Sequence, residues 1–223
     1  MKRTYIFLLM IMILCCSDRI SQNYFTLTLN INGELEQNIY LSKRDAGKWV
    51  NIDSSSVITG EIVFNGKIEE PEMFYLRSGS DLTNIFMEAG KIAFTAHADS
   101  INKGITNGSE TQEELDSFNK SISSITKQLD TLYNQYRIAV RNDDQVRLEK
   151  LNELIEIKDS KRLARTVDYA YANNKSIVSA YLIMKNNYYL ELAELDSITS
   201  NFDYSISKTK YVKALQDRVT SLD

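Results

Sequence analysis

Apolar and polar residues alternate strictly over Tyr24–Asn32, YFTLTLNIN. Phe25, Leu27, Leu29 and Ile31 fall on one side, and Thr26, Thr28 and Asn30 on the other. A period of two buries one face and wets the other, so this segment predicts a β-strand. Gly33 supplies the turn after it. Shorter apolar runs follow at residues 39–41, 49–53, 62–64, 74–76, 85–87 and 92–96. Gly, Asp and Ser clusters and the single proline, Pro71, separate them. Turns are predicted at Ala46-Gly47-Lys48 and through Asp53-Ser54-Ser55-Ser56, where side chains can bond their own backbone. A hairpin is predicted at Ala89-Gly90. About seven or eight short strands so spaced indicate an antiparallel β-sandwich or barrel-like module over residues 24–108.

The pattern then changes. All eight glycines and the proline lie at or before Gly108. Losing both helix breakers predicts a helical segment over residues 109–223. Ser109 and Gln112 have the spacing of a capping box. Leu115, Phe118, Ile122, Ile125, Leu129, Leu132, Tyr136 and Ala139 then form one seam along a long helix. A second helix is predicted over 144–172, with Leu148, Leu151, Ile155, Val167 and Ala170 inward. Shorter helices are expected at 176–187, 191–200 and 207–222, with Tyr188 and Tyr189 packed between them. The long seam can close on the second helix or on a second copy as a coiled coil. Together the two halves define an α+β chain.

The first 17 residues, MKRTYIFLLMIMILCCS, add an address. Lys2 and Arg3 precede an apolar run too short to span a bilayer. Ile13-Leu14-Cys15-Cys16 resembles a bacterial lipobox with Cys16 as the lipidated residue, because Cys15 puts a small side chain before the cut. Residues 1–15 are therefore expected to be a lipoprotein signal peptide, and 16–23 a polar tether. The expected location is the cell envelope, held by lipid, at the outer membrane.

Composition narrows the chemistry. A formal charge of -4 disfavours nucleic acid as the main partner. The two cysteines are adjacent, Cys15 and Cys16, so nothing after them can form a redox pair or act as a cysteine nucleophile. His97 is the only histidine and follows an alternating run on its solvated side. No Walker loop, GxGxxG, GxSxG or HExxH occurs. The expectation is a chain with no catalytic constellation, no metal and no cofactor. Trp49, Phe74 and Tyr75 can line a ligand groove or pack the core. Asp53 can bind a partner or cap its own turn through Ser55 or Ser56. Glu69, Glu70 and Glu72 around Pro71 read as a solvated loop.

Several short matches in order carry a resemblance. They are Ile39-Tyr40-Leu41, VNIDS from Val50, GEIVFNG from Gly60, Pro71-Glu72, Tyr75-Leu76, IFMEAG from Ile85, Asn107-Gly108-Ser109 and SIVSAYL from Ser176. These resemble a domain of unknown function, DUF4369, at the N-terminus of TlpA/ResA-type thioredoxin-like lipoproteins of Bacteroidetes-type bacteria. The resemblance implies a strand-rich module followed by helices. The longer relatives continue into a thioredoxin fold with its CxxC, which is expected to be absent here, so their activity does not carry over. The favoured function is a non-enzymatic envelope lipoprotein that binds or positions a partner. The alternative is an accessory, or remnant, of a thiol–disulfide system.

Overall fold

The computed structural model describes residues 23–45, 47–56 and 60–221. The signal-like run, Cys16 and the tether up to Gln22 lie outside the described residues, as does Ala46 of the first predicted turn.

Among the described residues eight strands come first: β1 Tyr24–Asn32, β2 Ile39–Asp45, β3 Lys48–Ser55, β4 Gly60–Lys67, β5 Glu72–Ser78, β6 Asp81–Met87, β7 Gly90–His97 and β8 Ile105–Asn107. They form two four-stranded sheets, ordered β4-β1-β7-β8 and β3-β2-β5-β6. The module is thus a sandwich. Phe25, Leu27 and Leu29 of β1 are at most 2% exposed. They meet Ile92 and Phe94 of β7 and, from the facing sheet, Leu41, Phe74, Leu76 and Ile85.

Two strand expectations need correction. The run at Ala89-Gly90 is no hairpin: β6 ends in one sheet and β7 starts in the other. β7 then lies parallel to β1, Phe25 opposite Gly90 and Leu29 opposite Phe94. Alternation reports which face is buried, not which strand is the neighbour, so the pattern was blind to this crossover. Nor is Asp53–Ser56 a turn, since β3 runs on through Ser55. Ladder pairing with β2 holds Asp53 opposite Leu41, with a bulge at Ile52 between that pair and Ser42–Asn51.

Five helices follow: α1 Glu110–Arg141, α2 Gln145–Ala172, α3 Ile177–Asn186, α4 Leu192–Asn201 and α5 Lys210–Thr220. The seam of α1 closes on α2 within the chain. Tyr169 Oη donates to Glu114 and Tyr133 Oη to Asp159, both at 2.6 Å, which aligns the two helices antiparallel. Burial along the seam is uneven. Leu115, Phe118, Ile122, Leu129 and Ala139 are buried, whereas Ile125, Leu132 and Tyr136 are partly exposed. Tyr188 and Tyr189 do not pack between helices. They sit on a 3-10 turn, Asn187–Tyr189, and are 76% and 74% exposed. Tyr181 and Tyr211, one from α3 and one from α5, fill the space expected for them.

The helices form a third layer on the outer face of the β3-β2-β5-β6 sheet. Met73 and Phe86 point into a second core with Leu115, Phe118, Tyr181, Tyr211 and Leu215. β5 around Met73-Phe74 and β6 over Ile85-Phe86-Met87 are therefore buried on both faces. Side-chain and main-chain bonds fasten the layers. Ser109 accepts from Gln112 N at 3.1 Å, as a cap should. The Gln112 side chain does not return to Ser109, however. It accepts from Phe86 N at 2.7 Å, while Ser109 Oγ donates to Phe86 O at 2.8 Å. The edge of β6 is thereby closed by the first turn of α1. Glu88 accepts from Glu110 N at 2.6 Å, so a carboxylate sits where the helix dipole is positive. Gly108 makes the approach, at φ 83°; a Cβ there would lie 2.5 Å from Lys91 O.

Of the acidic residues around Pro71, Glu69 is solvated as expected, while Glu70 and Glu72 prove structural. Glu70 accepts from Lys210 N at 2.7 Å, capping α5, whose own Thr209 makes no side-chain cap. Glu72 pairs with Lys210 and, at 3.6 Å, with Lys43. The expected solvated loop is a clamp because α5 brings four unsatisfied N–H groups against it.

Candidate binding cleft

The β2–β3 hairpin turns through Gly47 at φ 77°, with Asp45 opposite Lys48 and Arg44 opposite Trp49. Directly opposite residues of an antiparallel pair share a face. Ser42 lies opposite Tyr75 on β5, and Tyr40 opposite Arg77. Tyr75, Arg77, Arg44 and Trp49 consequently stand on the face that the helices approach. Asp53, opposite buried Leu41, stands on the other face.

The cluster is built around Trp49. Its ring meets Tyr75 edge-on, centroids 5.0 Å apart. The Arg44 guanidinium lies 4.4 Å from the indole centroid and that of Arg77 4.8 Å. Arg44 also donates to Gly47 O at 2.6 Å, which locks the tip of the hairpin to the stack. Each cation–π contact at such a partly wet position contributes about 0.5–1 kcal/mol. Trp49 remains 38% exposed.

Behind it lies a cleft of about 450 Å³ between the hairpin, β5, α3 and α5. Met73, Tyr75, Tyr181, Met184 and Tyr211 make its floor, with Arg44 and Lys210 at its edge. Tyr181 and Tyr211 pack edge-on at 5.4 Å. Tyr211 Oη accepts from Met73 N at 2.9 Å, satisfying a strand donor that β2 does not reach. Burial pushes the Tyr181 and Tyr211 hydroxyls far above the ordinary tyrosine value, and Tyr75 upward more mildly against the pull of Arg44. Tyr181 and Tyr75 hydroxyls bond each other, Tyr181 donating, which leaves the protons of Tyr75 and Tyr211 to face the cleft. Among the described residues no group of three or more His, Cys, Asp or Glu could hold a metal ion.

Of the residues singled out from sequence, the structure joins Trp49 and Tyr75 and separates Asp53 and Phe74. Phe74 is core, 3% exposed. Asp53 accepts from Ser54 N at 2.7 Å, at the exposed edge strand. Cys16 lies outside the described residues. His97 is exposed, as expected, and its Nδ1 accepts from Asp99 N at 3.4 Å to cap the turn after β7. Reading the sequence missed Arg44, Arg77, Tyr181, Lys210 and Tyr211. A two-residue turn at Ala46-Gly47 would have placed Arg44 opposite Trp49. Nothing in the spacing connects either to α3 or α5.

The class of protein so defined is a β-sandwich carrying a helical layer on one sheet, with an aromatic cleft at the junction. Residues 25–115 match the family model for a domain of unknown function (DUF4369). The matched span ends within α1 and includes Glu88, Ser109 and Gln112, the residues that dock this helix on β6. No curated protein and no solved structure matches the chain.

Proposed function

We propose that this protein is a non-enzymatic, lipid-anchored binding module of the bacterial cell envelope, and that the cleft beside Trp49 is its ligand site. The observation that carries the reading is the Trp49–Tyr75–Arg44–Arg77 cluster beside a pocket of ligand size that Tyr75 and Arg44 line. Large aromatic surface left half in water, with donors beside it, is costly unless something covers it. The anchor is Cys16 of the lipobox-like run, and the address follows from that lipid.

Both parts have a test. Cys16→Ser should release the protein from the membrane fraction or block its processing; normal processing and retention would sink the anchor. For the cleft, the full chain is melted with fractions of an envelope extract. Ligand at a hundred times its Kd adds about 2.7 kcal/mol, a rise in Tm of roughly 5–10 °C for a chain of this size. Trp49→Ala should abolish the rise while leaving the unliganded Tm within a few degrees. A rise that persists in Trp49→Ala places binding elsewhere.

A further inference from the structure

We infer that the cleft takes an organic anion, a carboxylate or phosphate group borne on an apolar or aromatic body. The inference rests on the cleft being the ligand site and adds its chemical class. Charge is the first argument. Arg44 and Lys210 line the site and Arg77 stands beside it on Trp49, against Asp45 and Glu72. Glu72 is shared between two lysines. Among the described residues no carboxylate pairs with Arg44 or Arg77. Both guanidiniums lie on Trp49 instead. Arg44 spends one N–H on Gly47 O; the remaining in-plane N–H groups of the two guanidiniums can fork onto a carboxylate or phosphate.

The floor is the second argument. Tyr211 Oη accepts from Met73 N, so its own proton is available to an acceptor. Tyr75 adds a second protonated phenol. Around these donors the walls are rings and the side chains of Met73, Met184 and Ala214, which suit an apolar body. A cationic ligand is disfavoured twice, by the surplus of positive charge and because two guanidiniums already occupy the indole that would receive it.

Trp49 is the only tryptophan, so its emission reports on this site alone. The full chain is titrated with decanoate, decanol and decyltrimethylammonium, and with phosphatidylglycerol and phosphatidylcholine vesicles. Decanoate or phosphatidylglycerol should change Trp49 emission saturably, at least tenfold more tightly than its uncharged or zwitterionic counterpart. A response to decanoate identifies a free amphiphile as the source, and a response to phosphatidylglycerol alone a bilayer lipid; either supports the inference. Arg44→Gln should weaken the response about tenfold, and Arg44→Lys should restore part of it. Equal response to decanol and decanoate, or full response in Arg44→Gln, would overturn the anion while leaving the cleft a binding site. Silence of Trp49 toward every probe, while Trp49→Ala still abolishes the extract-dependent rise in Tm, would overturn the anion alone. Silence together with no such rise would overturn the cleft as well.

Discussion

A single hydroxyl, that of Tyr211, links three parts of the molecule. It belongs to α5, accepts from the main chain of β5 and faces the cleft. Tyr211→Phe leaves the buried Met73 N–H without a partner and should cost about 1–3 kcal/mol at neutral pH, read from urea unfolding. The same burial sets a pH limit. The Tyr181 and Tyr211 hydroxyls titrate far above the value they have in the unfolded chain, near 10. Below pH 10 both states keep the protons and these groups are neutral in their effect. Above it the unfolded chain releases protons that the native state retains, so stability falls as pH rises. Tm should drop between pH 10 and 11, and the double variant Tyr181→Phe, Tyr211→Phe should show a shallower drop. At this scale the sequence is informative only where partners are close in the chain. Arg44 opposite Trp49 follows from turn geometry. Tyr75 beside Tyr181 does not, because nothing local records which sheet face a later helix will cover.

Strands and helices were legible where periodicity and caps agree. β1 reads directly from its alternation, and Ser109, Asp144 and Ser176 all accept N–H bonds at the helix starts they marked. The docking of helices on strands was partly written in the pattern. Met73-Phe74 and Ile85-Phe86-Met87 are consecutive rather than alternating apolar residues, as a strand covered on both faces requires. The base of α1 packs on β6, β8 and α3 as well as on α2. The base depends on Glu88. Glu88→Ala removes the carboxylate that accepts from Glu110 N and Thr111 N and should cost about 1–2 kcal/mol. Glu88→Gln should recover part of that in the same denaturation experiment, by keeping an acceptor without the charge.

Over the whole molecule the two halves are one folding unit. The sandwich leaves Phe86 and Met73 backbone groups to be satisfied by α1 and α5, and their side chains to be covered by the helical core. A polypeptide of residues 24–108 alone should therefore expose Met73, Tyr75 and Phe86 together with the open edge of β6. Such an edge templates strand addition. Size-exclusion chromatography should find that fragment oligomeric, and the full chain should melt in one calorimetric transition. A monomeric, cooperatively folding fragment would show the helical layer to be an accessory.

The parallel partnership of β1 and β7 has a consequence in time. β1 is an inner strand, flanked by β4 and by β7. Its register with β7 joins Phe25 to Gly90 and Asn32 to His97. Closing that long loop must precede any reward from the pairing, and such non-local sheets form in milliseconds to seconds, whereas a helical hairpin forms far faster. During synthesis, then, β1 is left half-paired until His97 has followed it. For that interval a ready-made row of Phe25, Leu27, Leu29 and Ile31 is sticky surface, a specific stretch for a chaperone to hold.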